Sequence, residues 1–205
     1  MDQQKAIEDI ALIKQMMEES RQFTIDNGKA YIFWGILVTV GVFMTYWAIL
    51  NGKEEICGWI WIVTIGIGWL YSILIVMKER ANNRTQTFGG RLVGFLWGGC
   101  GIAMTILGFV GPMSGAVSSW GITPVLASVV GIGYFLSSEI YKLKWVRLIG
   151  IAWWLGAILM FIVKGIHTLA IFGAMMVLFQ VVPGIIFYEQ WKKMHIQEKS
   201  SSEKA

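Results

Sequence analysis

Gly58-Trp59-Ile60-Trp61-Ile62-Val63-Thr64-Ile65-Gly66-Ile67 is apolar apart from one threonine and carries no charge. A strand of a membrane barrel alternates lipid-facing and lumen-facing side chains over about ten residues, and this stretch shows no such alternation. It belongs to an apolar run over residues 57–77, long enough as a helix to cross about 30 Å of hydrocarbon. Five more runs of similar length lie at 29–50, 92–111, 122–141, 146–163 and 166–188. In hydrocarbon the backbone N–H and C=O groups must be paired within the segment, which favours the helix. The sequence therefore predicts an all-α, polytopic integral membrane protein with six transmembrane helices.

Composition supports this reading. The 205 residues are 56% hydrophobic and 15% charged, with a mean hydropathy of +0.60, whereas soluble domains are about a quarter charged. A disordered chain, a nucleic-acid module and a disulfide-stapled secreted domain are excluded. The net charge of +4 is a consequence of topology. Lys5, Lys14, Arg21 and Lys29 precede the first span; Lys78, Arg80, Arg84 and Arg91 lie between the second and third; Lys142, Lys144 and Arg147 separate the fourth and fifth; Lys192, Lys193, Lys199 and Lys204 follow the sixth. Only Lys53 and Lys164 fall on the other side. By the positive-inside rule both termini are expected in the cytoplasm, the membrane being a plasma membrane or a bacterial inner membrane. The first 26 residues mix acidic and basic side chains, and the first apolar run is span-length without a small-residue cleavage site, so the first span reads as a retained anchor.

Three segments follow: residues 1–27, a cytoplasmic amphipathic helix; 28–190, the transmembrane domain; and 191–205, a cytoplasmic tail, expected to be disordered from Gln197 onward. Over residues 3–24, Ala6, Ile7, Ile10, Ile13 and Met17 recur at three-and-four spacing opposite Glu8, Lys14, Glu18 and Arg21, a helical stripe. Residues 1–27 hold six acidic and three basic side chains, so an anionic inner leaflet repels them. Ile10, Ile13 and Met17 are the candidate partner-binding residues, for the protein's own cytoplasmic face, an identical subunit or another cytoplasmic protein.

The spans carry an internal likeness. Arg91-Leu92-Val93-Gly94-Phe95-Leu96-Trp97 aligns without a gap on Arg147-Leu148-Ile149-Gly150-Ile151-Ala152-Trp153, and Lys29-Ala30-Tyr31-Ile32-Phe33-Trp34 is one residue shorter. Gly66-Ile67-Gly68-Trp69 matches Gly131-Ile132-Gly133-Tyr134, while the sixth span has Pro183-Gly184-Ile185-Ile186-Phe187-Tyr188 instead. Three consecutive two-helix hairpins are the simplest arrangement. They would set Trp34, Trp97 and Trp153 at one depth, with Trp69 and Tyr134 slightly deeper.

No Asp, Glu, Lys or Arg stands in the middle of a span, which disfavours an ion-coupled carrier. The neutral polar residues at depth are Thr39, Thr45, Thr64, Ser72, Thr105, Ser128 and Gln180. Their hydroxyls are expected to bond back to the preceding turn. Gln180, three residues before Pro183, is expected either to join helices or to contact a solute. Trp34, Trp69, Trp97, Tyr134, Trp153 and Gln180 are the candidate lining of a pathway for a small neutral or weakly acidic solute. His167 and His195 lie on opposite sides of the membrane, Cys57 and Cys100 differ in depth by roughly 15 Å, and no paired acids or phosphate loop occurs. No metal, cofactor or enzymatic activity is expected.

In architecture the chain resembles the small six-helix bacterial channels for urea and acetate, which are built from hairpins and narrowed by tryptophans; Trp153-Trp154 carries the likeness. The Asn-Pro-Ala-Pro-Leu-Gly signature of the acetate family is absent, and the urea channels place their termini outside. The resemblance implies a helix count and a use of tryptophan. Two functions are thus in view: a facilitator or channel, or a membrane-embedded interaction or regulatory protein acting through its amino-terminal helix. Glycine-rich faces are compatible with a homo-oligomer, and the lipid bilayer is the expected surrounding.

Overall fold

The computed structural model describes residues 28–81 and 88–202. These residues form helices and connecting turns, with no strand among them. α1 is Lys29–Leu50 and α2 is Cys57–Ala81. α3 runs through Phe88–Thr105, a π turn at Ile106–Val110 and Gly111–Met113. α4 is Ile122–Tyr141 and α5 is Lys144–Val163. α6 comprises His167–Met176, a second π turn at Val177–Val181 and Val182–Ser202. All six are long and apolar enough to span a bilayer, and the protein is a multi-pass, all-α membrane protein. The predicted amino-terminal helix, with Ile10, Ile13 and Met17, lies outside the described residues.

Neighbours in chain order touch, and α6 returns to α1. The start of each odd helix meets the end of an even one, so the chain enters and leaves at one end of the bundle, called here the terminal end. The expected hairpin pairs α1/α2, α3/α4 and α5/α6 are all in contact, yet the most extensive contact is between α4 and α5. Its cause is local. A Cβ on Gly150 would stand 2.9 Å from the Phe135 nitrogen and 3.0 Å from the Gly131 oxygen, so the two backbones lie against each other. Only Lys142 and Leu143 connect the helices. Lys142 adopts φ 56°, and the Leu143 amide donates to the Ser138 carbonyl at 3.1 Å, a left-handed helix end usually given to glycine.

The ring closes where α1 crosses α6. Gly28, with φ +66°, lies under the Gly184 carbonyl and the Tyr188 nitrogen, while a Cβ on Gly184 would stand 2.9 Å from the Ile32 nitrogen. The Pro183-Gly184 pair that breaks the resemblance between the even helices is therefore the place where two backbones approach.

The tail differs from expectation, because α6 continues as helix to Ser202. Glu189-Gln190-Trp191-Lys192-Lys193 and the residues after it contain no proline or glycine. Glu189 and Lys193 have favourable i,i+4 spacing, so nothing stops a helix already nucleated in the membrane.

Two of the three prolines follow π turns at the same offset. Pro112 and Pro183 each stand two residues beyond the end of one. A proline offers no N–H to the carbonyl four residues back, and a wider turn rearranges the ladder before it. The third, Pro124, lies in the first turn of α4, where a missing N–H costs little.

Candidate functional site

The six hydroxyls expected to bond backwards all do so: Thr39 to Gly35 (2.7 Å), Thr45 to Gly41 (2.8 Å), Thr64 to Ile60 (2.7 Å), Ser72 to Gly68 (3.0 Å), Thr105 to Gly101 (2.8 Å) and Ser128 to Pro124 (2.9 Å). Two of these hydroxyls have a second task. The Trp34 indole N–H donates to Ser72 Oγ at 3.1 Å, and the Trp69 N–H donates to Thr105 Oγ1 at 3.3 Å. In both cases the indole ring lies over the glycine four residues before the hydroxyl, Gly68 or Gly101. A third copy holds Trp97, whose N–H donates to Ser137 Oγ at 3.2 Å and whose ring lies over Gly133.

The sequence Gly-x-x-x-Ser/Thr thus builds one socket three times. Glycine admits the ring by having no side chain, and a hydroxyl one turn later accepts the indole proton. The sockets link α1 to α2, α2 to α3 and α3 to α4. α5 uses other acceptors. Trp154 rests on Gly131 and donates to the Ser128 carbonyl at 3.1 Å, and Trp153 donates to the Phe179 carbonyl at 3.5 Å. Phe179 is four residues before Pro183, so its carbonyl is the one deprived of the ordinary helical donor.

The candidate lining residues divide into two groups. Trp97, Tyr134, Trp153 and Gln180 converge on the middle of the bundle, whereas Trp34 and Trp69 belong to the sockets on α2 and α3. Tyr134, fully buried, donates its hydroxyl to Gln180 Oε1 at 2.7 Å, and Gln180 is 6% exposed. Trp97 meets Tyr134 edge-on at 5.3 Å between ring centroids. Trp153 is fully buried and packs edge-on against Phe172 at 5.8 Å.

The centre also holds residues outside that set. Tyr31 of α1 reaches Trp97 at 5.6 Å, Tyr134 at 5.8 Å and Phe187 at 5.5 Å, and its hydroxyl lies 3.4 Å from that of Tyr141. Phe187 in turn meets Tyr141 and Trp145. Five helices therefore contribute rings to one buried cluster in the terminal half. Ser137 had a legible signal, since it stands four residues after Gly133 as Ser72 does after Gly68. Tyr31, Tyr141 and Phe187 had none, because their convergence depends on how α1 and α6 cross.

At the terminal end, Arg147 and Lys142 both pair with Glu139, the latter at 3.6 Å. Lys29 places its ammonium 5.8 Å from the Tyr188 ring centroid and 6.0 Å from that of Trp191, two rings stacked on each other at 6.2 Å. Cys57 and Cys100 are free thiols.

This is an integral membrane bundle of six helices joined by tryptophan sockets around an aromatic centre. The chain matches no protein-family model, no curated protein and no solved structure.

Proposed function

We propose that the chain is a non-catalytic interaction or regulatory protein of the membrane, with both termini cytoplasmic. Its six-helix domain is a rigid platform. Its amino-terminal helix, through Ile10, Ile13 and Met17, is the part that engages a partner, either a cytoplasmic protein or a second copy of the chain. One observation carries the choice: the residues suited to lining a pathway are engaged in packing. Trp97 fills the space over Gly133, Tyr134 and Gln180 bond to each other, and Trp153 is fully buried against Phe172. Such groups specify and hold a bundle.

A photo-crosslinking residue placed at Ile10, Ile13 or Met17 in intact cells should give one discrete adduct. The adduct should disappear when a neighbouring stripe position is made aspartate, and deletion of residues 1–24 should abolish function while the membrane domain still folds. Normal function after that deletion would overturn the reading.

A facilitator for a small neutral or weakly acidic solute is the second reading, favoured by the Tyr134–Gln180 pair, an amide and a phenol in the bundle interior beside a π turn. Proteoliposome permeability to water, urea, glycerol, acetate and ammonia decides between them. On the interaction reading the protein leaves every rate at the level of empty vesicles. A solute-selective rise that Trp153→Ala alters would establish the facilitator.

A further inference from the structure

α2 and α3 are the least buried of the six spans, and they meet differently from the other neighbours. α4 and α5, like α1 and α6, bring backbone against backbone. α2 reaches α3 through the Trp69 side chain, which stands 3.3 Å from a Cβ placed on Gly101 and donates to Thr105 Oγ1. Gly94 and Gly98 share the face of α3 that holds Gly101 and Thr105, because spacings of four, three and four return to one side of a helix. Among the described residues, nothing lies within 4 Å of a Cβ built at Gly94 or Gly98. Ile73 and Val76, four and seven residues after Trp69, stand on the matching face of α2 and are 52% and 42% exposed. On the terminal side of Trp69 the two helices are thus held apart by one indole, and a crevice opens between them toward the bilayer.

Its floor is aromatic. Trp34 of α1 lies on Gly68 and bonds to Ser72 on one side, and Tyr31 of α1 meets Trp97 of α3 at 5.6 Å on the other. The indoles of Trp34, Trp69 and Trp97 are all half-buried, whereas Trp153 of α5 is fully enclosed. The polar groups along the crevice are already engaged. Ser72 and Thr105 donate to the Gly68 and Gly101 carbonyls and accept the Trp34 and Trp69 N–H groups. An apolar occupant is therefore the one that suits it. A helix, about 10 Å across, does not enter a gap that one indole bridges, whereas a single hydrocarbon chain does.

Length and charge agree with this. Arg91 is exposed at the terminal mouth, three residues before Gly94. The rise from Arg91 to Gly101 is about 15 Å, the hydrocarbon depth of one leaflet in a core about 30 Å thick. A guanidinium is a strong partner for a phosphate, and a phosphate held at Arg91 sets the end of its acyl chain against Trp69. We infer that the α2–α3 crevice holds one phospholipid of the bilayer, with its phosphate on Arg91, one acyl chain along Gly94 and Gly98, and the chain end against Trp69. The inference goes beyond the proposed function and is independent of both readings of it.

The test uses the full chain in nanodiscs containing a phospholipid with a photoactivatable diazirine, either at the end of one acyl chain or beside its glycerol. Peptide mapping should place chain-end adducts around Trp69 and Gly98, and glycerol-end adducts around Val76 and Gly94. Gly94→Leu combined with Gly98→Leu fills the crevice and should remove both sets, while adducts at Leu155, exposed on α5, stay unchanged. Arg91→Gln should lower the crevice adducts about fivefold. That substitution repacks nothing, so it decides the matter even where the double-leucine protein fails to fold. Adducts no denser in the crevice than at Leu155, or unmoved by either change, overturn the inference and leave lipid only as the general surrounding. Crosslinks from this face to a second copy of the chain overturn it as well and assign the glycines to self-association.

Discussion

Gly68, Gly101 and Gly133 are explained by what stands where their side chains would be. A Cβ on Gly133 would lie 3.0 Å from the Trp97 ring, and one on Gly68 would clash with the edge of the Trp34 ring, whereas Gly94 and Gly98 have nothing within 4 Å. Gly68→Val and Gly133→Val should each destabilise the protein by about 1–3 kcal/mol through overpacking. Gly94→Ala should change it by less than about 0.5 kcal/mol. Denaturant unfolding of the purified protein separates these outcomes, and equal effects at all three positions would refute the socket. Tyr134→Phe removes one hydrogen bond and should cost about 1 kcal/mol. Combined with Gln180→Leu, the loss should be smaller than the two single losses added, because neither partner is then left buried and unpaired. Lys142 has the opposite character: its φ of 56° is unfavourable for a side-chain-bearing residue. Lys142→Gly should raise stability by about 1 kcal/mol in the same assay.

Among the elements, α3 and α6 are the irregular ones, and each carries its π turn just before a proline. In α6 that irregularity presents the Phe179 carbonyl to Trp153 and places Gln180 opposite Tyr134. Pro183→Ala would supply the missing N–H and allow a regular ladder. The expected result is slow amide exchange at position 183, reduced protection of the Trp153 indole proton and weaker coupling between Tyr134 and Gln180. Unchanged indole exchange would show that the π turn owes nothing to the proline. The α4–α5 connection shows a different control, since two residues and a glycine-to-glycine approach bind helices from successive hairpins more closely than the helices within either one. Gly150→Leu should accordingly disrupt the bundle more than Gly101→Ala, whose Cβ would meet Trp69 at 3.3 Å, as read from the yield of folded protein.

At the scale of the molecule the sockets join α1 through α4 in series, and the ring of six is closed by α1 on α6. The buried aromatic cluster then fills the centre in the terminal half. Charge in the sequence predicts the orientation: fifteen basic residues are expected on the terminal side against two on the other, so the termini are expected to face the cytoplasm. In intact cells a membrane-impermeant thiol reagent should label cysteine introduced at Ser119, and should label one at Lys192 only after the membrane is opened. The reverse pattern would invert the topology.

Spans and helix number were legible in the amino-acid sequence because bilayer thickness sets a length and hydrocarbon demands internal backbone pairing; α1 and α4 have the bounds expected of them. The likeness of Gly68 to Gly133, and of Trp34 to Trp97, was legible too, since each socket is local to one turn of one helix and recurs at constant spacing. Tertiary structure alone decided which helix receives each indole, why Pro183-Gly184 departs from the repeat, and that Tyr31, Tyr141 and Phe187 join Tyr134 at the centre. Those contacts lie between residues tens to more than a hundred positions apart. They depend on how glycines let particular backbones approach, which apolar periodicity within a single span does not encode.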